Sequence, residues 1–100
     1  VSLVKREKYG DFHKLRFLTG EQKGNQVPDK FPTLAKLDKW VTDNGAELVK
    51  SISVYRQIEI MKGRLSNWYA FGLCGTQVFT DYTFTTEQHV KTIIDWHHDK

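Results

Sequence analysis

SISVYRQIEIMKGRLSNWYAFGLCGTQVFTDYTFT, Ser51 to Thr85, alternates apolar and polar residues and contains two glycine-bearing turn candidates, Lys62-Gly63 and Gly75-Thr76. Alternation is the period of a strand with one face buried. Two-residue loops at both candidates fold the stretch into a three-stranded antiparallel meander, and every cross-strand pair then follows by counting. Met61 faces Arg64, Ile60 faces Leu65, Val54 faces Phe71, Leu73 faces Val78 and Tyr69 faces Tyr82. One face reads Ile52, Val54, Ile58, Ile60, Leu65, Tyr69, Phe71, Leu73, Val78, Tyr82 and Phe84, a continuous apolar surface with Arg56 as its discordant member. The other face holds small and polar residues, among them Ser53, Gln57, Glu59, Ala70, Gly72, Gln77 and Asp81, and three large rings, Tyr55, Trp68 and Phe79.

Outward from this stretch, residues 1–19 read as a hairpin about Gly10-Asp11, with Tyr9 opposite Phe12, Glu7 opposite Lys14, and Lys5 opposite Arg16. Like charges facing across a ladder repel mildly, so the Lys5–Arg16 pair either snorkels into solvent or holds an anion. GEQKGNQVPDK, Gly20 to Lys30, is polar and rich in turn formers and reads as a loop. Pro32 or Thr33 opens a helix that runs to about residue 44 and stops at Gly45, with Leu34, Leu37, Trp40 and Val41 on its apolar stripe. A second helix spans about 85–98, with Thr85 and Gln88 as a capping box, Glu87 in the first turn, and Val90, Ile93, Ile94 and His97 on one face. FPTLAKLDKWV and FTTEQHVKTII, beginning at Phe31 and Phe84, echo one another, but helix-start chemistry alone can produce so short a match.

The expected architecture is therefore α+β, ordered β-β-α-β-β-β-α. It is an antiparallel sheet built on the meander of about 51–84, with helices at about 32–44 and 85–98 packed on one face. One hundred residues suit a single domain, 1–100, which buries roughly 60–65% of its unfolded surface. The lone Cys74 excludes an internal disulfide framework, and no apolar run approaches the roughly 18 residues of a membrane span. With no signal-peptide pattern in residues 1–20, the expected location is cytoplasmic, away from any membrane.

Catalytic signals are absent from the pattern. Cys74 has no evident base, and there is no phosphate-cradling glycine loop, dinucleotide fingerprint or paired-carboxylate signature. The chain is accordingly read as a non-enzyme without a cofactor. His89 and His97 stand two helical turns apart, and Asp95 with His98 or Asp99 supplies only two ligands, so no metal site is assigned. What remains is a small non-catalytic binding module, a regulator or inhibitor, working through a macromolecular interface. A protein partner is preferred, engaged by Tyr55, Trp68 and Phe79, because Glu59 and Asp81 on the same face would repel phosphates. The alternative is nucleic acid, bound by the basic first hairpin through Lys5, Arg6, Lys8, Lys14 and Arg16, with Lys62 and Arg64 at a second tip. Residues 1–40 hold nine Lys/Arg against five Asp/Glu, whereas residues 41–100 hold six against seven, so the basic excess lies wholly in the first part. A third reading makes the aromatic face a homodimer seam.

Overall fold

The structure, a computed structural model, describes residues 2–99. Its elements are β1 (Leu3–Tyr9), β2 (Phe12–Phe17), α1 (Leu34–Asp43), β3 (Glu47–Tyr55), β4 (Ile58–Lys62), β5 (Trp68–Gly72), β6 (Gln77–Val78) and α2 (Glu87–His98). The chain is α+β and divides into two compact units, Val1–Val49 and Lys50–Lys100. β3 gives its first three residues to the first unit and the remainder to the second.

In the first unit, Gly10 takes the left-handed conformation (φ 52°) that the tight turn needs, and the hairpin has the expected register. The sheet is not wholly antiparallel, however. β1 pairs in parallel with the start of β3, Leu3 with Glu47 through Lys5 with Val49. A parallel pair needs a crossover, and α1 provides it. Thr33 caps α1 by accepting from the Lys36 backbone N–H at 3.3 Å. Beyond the other end, Gly45 (φ 63°) donates to Thr42 and Ala46 donates to Val41, a Schellman stop with Ala46 packed on the core below. Residues 20–30 are more than a connector: Gln26 bridges to Arg16, Val27 donates to the Leu15 carbonyl at 2.8 Å, and Phe31 bridges to His13. Val4, Leu15, Val27, Phe31, Leu37 and Val41 form the core of this unit. α1 therefore buries Leu37 and Val41 there and not on the meander, as the sequence had suggested.

The second unit departs from the expected register. The first turn is at Arg56-Gln57, so β3 and β4 are two arms of one hairpin within what reads as a single strand. Tyr55 faces Ile58, Val54 faces Glu59 and not Phe71, and Ser53 faces Ile60 across a bulge after Ser51. Lys62 faces Trp68 around a longer loop that contains Gly63, and Ala70 faces Val78 around residues 73–76. One face of this sheet consequently carries Tyr55, Ile58, Ile60, Trp68, Ala70 and Val78, and α2 covers it with Val90 and Ile94. Val54 and Phe71 fall on the opposite face. α2 is capped by Thr86, one residue later than expected, with its hydroxyl accepting from the His89 N–H at 3.0 Å. Gln88 turns instead towards Thr92 and does not complete a capping box with Thr85.

Arg56 and Gln57 both have positive φ, 50° and 68°, a conformation costing a non-glycine residue roughly 1–2 kcal/mol. The turn is held from the end of α2. Arg56 Nε lies 3.1 Å from Asp95 Oδ1, its Nη1 donates to His98 Nδ1 at 2.7 Å, and the Tyr55 hydroxyl donates to Asp95 at 2.9 Å. Arg56 is therefore a cation on the last helical turn, where the dipole favours it, and not a buried charge. Gln57→Gly should relieve strain without touching this tie, raising unfolding free energy by about 0.5–1 kcal/mol in urea titration. A lower midpoint would show that the Gln57 side chain holds the turn.

Candidate binding surfaces

The basic residues of the first hairpin divide between its faces. Lys5, Lys14 and Arg16 lie on the face opposite α1, together with Glu7, Tyr9 and Phe12, whereas Arg6 and Lys8 project from the face of Val4 and Leu15. The anion beside Arg16 is the chain's own Glu7: Nε donates to Oε2 at 2.9 Å, and Nη1 donates to the Gly24 carbonyl at 2.7 Å. Gln26 adds hydrogen bonds to Glu7 and to the Tyr9 hydroxyl, both at 2.8 Å. Lys14 donates to the Pro28 carbonyl at 3.3 Å. At the tip, the Tyr9 and Phe12 rings stack at 5.8 Å and 16°, with Lys30 Nζ 4.8 Å above Phe12. Lys62 and Arg64 belong to the second unit, where Lys62 Nζ sits 5.6 Å from the Trp68 ring and Arg64 is exposed in the loop.

A cleft of about 410 Å³ opens beside α1, lined by Asp29, Lys30, Phe31, Lys36, Lys39, Trp40 and Asp43. Trp40 is half-buried and meets Phe17 and Phe31 edge-on at 6.3 Å. Lys39 is tied to Asp43 at 2.6 Å, one helical turn on. His13, cross-strand partner of Phe31, keeps a buried Nδ1 without a hydrogen bond among the described residues.

In the second unit, the three rings singled out from the sequence do not share an open platform. Tyr55 and Trp68 are half-buried beside the α2 core, Tyr55 bonded to Asp95 and with Lys91 Nζ 5.5 Å from its ring. Phe79 stands after the end of β6 in a left-handed conformation (φ 57°), an outlier for a bulky residue. It joins an aromatic cluster with Tyr82, 6.3 Å away edge-on, and His97, 5.0 Å away. The Tyr82 hydroxyl lies 3.2 Å from His97 Nε2, and Trp96 meets the His97 ring at 4.8 Å. Trp96 is 53% exposed and Tyr82 36%. The alternation placed Tyr82 among core residues, and the helical stripe of Val90, Ile93, Ile94 and His97 did not include Trp96, so the cluster was hidden. Asp95 and Asp99 both turn to Arg56, and Cys74 is exposed in the loop before β6 with Sγ 3.6 Å from Thr76 Oγ1.

No family model, curated protein or solved structure matches the chain.

The Glu7 network has a pH signature. The hydrogen bond from Arg16 holds the Glu7 carboxyl below the ordinary glutamate range, burial opposes the shift, and the Gln26 amide reinforces it. A depressed folded pKa stabilises fully above the unfolded value, and the contribution is lost as pH falls through the folded one. Between about pH 5 and pH 3, wild-type stability should therefore fall more steeply than that of Glu7→Gln, followed by denaturant midpoints. Parallel acid profiles would show that the pair contributes nothing.

Proposed function

We propose that the chain is a small non-catalytic binding module that engages a protein partner through the second unit, at the cluster of Phe79, Tyr82, Trp96 and His97. The observation that carries this reading is an exposed tryptophan on α2 backed by rings in mutual contact. Trp and Tyr are enriched at interface hot spots because they bring large area with few rotamers to freeze. Trp96 lies outside the buried core set of this unit and leaves about half of its surface to solvent. Phe79 holds its ring against both His97 and the core of the unit in a positive-φ conformation that costs roughly 1–2 kcal/mol. Regulation or inhibition of the partner is the role this reading assigns to the surface.

A second reading, nucleic-acid binding by the first unit, is favoured by the stacked and partly exposed Tyr9–Phe12 pair beside Lys14 and Lys30. Paired rings flanked by cations are the elements of a single-strand platform.

Capture from cell extract, with and without nuclease, separates the two readings. For the protein reading, nuclease-resistant capture should fall at least about tenfold in Trp96→Ala while thermal stability stays within about 0.5 kcal/mol of wild type. Capture that survives Trp96→Ala removes the surface from consideration. Light scattering that shows a dimer dissociated by the same substitution identifies the partner as a second copy.

A further inference from the structure

Leu65, which the alternation placed in the core opposite Ile60, stands instead in the loop between β4 and β5. At 90% it is the most exposed large hydrophobic residue among those described. Its backbone is left-handed (φ 55°), a conformation uncommon in a residue with a bulky side chain. The loop is closed beneath it: the Gly63 N–H donates to the Asn67 carbonyl at 2.8 Å, and the Asn67 N–H donates to the Arg64 carbonyl at 3.1 Å. Leu65 is thus an apolar knob on a short, tied loop.

A hole of matching size lies next to it. Asn67 ends the loop and, with Trp68, Tyr69, Tyr82, Thr83 and Phe84, lines a cavity of about 190 Å³. A cavity of about 150 Å³ takes a benzene ring, so this one takes the four-carbon side chain of a leucine. It lies where Phe84 bridges to Trp68 on the outer side of β5. Lys62, whose ammonium meets the Trp68 ring, belongs to β4 on the other side. The charges beside knob and hole are opposite in sign. Arg64 precedes Leu65, and Asp81 precedes Tyr82; both are exposed, and neither forms an ion pair among the described residues.

We propose that a second copy of this chain docks here, each Leu65 entering the other's cavity with its Arg64 beside the other's Asp81. Knob and hole lie within a few residues of each other, so a twofold axis at the loop makes every contact twice. A cation beside the knob and a carboxylate beside the hole set the orientation of the two copies. A contact of this size belongs to the weak end of specific interfaces, with a dissociation constant of about 10 µM to 1 mM. The proposal goes beyond the Trp96 reading and shares only Tyr82 with that surface, so either can fail alone.

The test is sedimentation equilibrium of the full chain at low salt, from about 10 µM to 1 mM, over which the mass should rise from one chain towards two. Leu65→Asp changes a side chain that stands in solvent and should weaken association at least about tenfold. Leu65→Gly removes the knob and suits the left-handed backbone, so the same loss in that variant is not a loss of fold. Arg64→Asp and Asp81→Arg should each weaken association at least about threefold, and the two together should restore it to within about twofold of wild type. Trp96→Ala should leave it unchanged. A monomer up to about 1 mM, a dimer that survives Leu65→Asp, or one that the charge exchange does not recover overturns the proposal. Association lost in Trp96→Ala but kept in Leu65→Asp also overturns it, and assigns the seam to the other surface.

Discussion

In each unit, a helix is placed by one phenylalanine. Phe31 exchanges two backbone hydrogen bonds with His13, at 2.7 and 2.9 Å, and the Phe84 carbonyl accepts from Trp68 at 3.2 Å. The bridge fixes the backbone just before the threonine cap, so the direction and starting point of the helix are set before any side chain of its stripe is packed. The phenylalanine rings are themselves core members, 4% and 3% exposed, and meet the first and second buried turns of the helix that follows. Removing either ring would open a cavity where the sheet and the helix cap come together, which is costlier than the same deletion at a site free to collapse.

The first hairpin and the first helix were read correctly from local chemistry, whereas the Thr85–Gln88 capping box was not, the cap of α2 being Thr86. Gly10-Asp11 gave the register of β1 and β2, and Thr33 with Gly45 bounded α1 to within a residue. The meander failed for a physical reason. A two-residue turn made of Arg and Gln carries none of the Gly, Asn or Asp that positive φ ordinarily selects, and the alternation runs through it without a break. Arg56, discordant on an apolar face, was the one visible sign. With the turn misplaced, Tyr55 and Trp68 were assigned to an open face when they flank the α2 core. The parallel pairing of β1 with β3 left no mark on either strand, because β1 carries charges on both faces and reads as a solvated hairpin arm.

The cleft beside Trp40 was not legible from composition. Its lysines fall on one flank of a helix whose stripe explained the tryptophan as core, and Lys30 sat in a segment read as a loop. The echo between the phrases at Phe31 and Phe84 acquired meaning only once coordinates showed that both phenylalanines bridge and both threonines cap.

β3 joins partners of very different reach along the chain. Its second part meets β4 around two residues, whereas its first part meets β1 across a separation of 44 residues, Leu3 to Glu47. On a logarithmic loop law that difference is roughly 2–3 kcal/mol of closure entropy. The same strand is thus nucleated at one end by a neighbour and completed at the other only after a hairpin, a bridged phenylalanine and a helix are in place. Folding of the first unit should therefore be slower than that of the second for reasons of topology alone, even with cores of similar size.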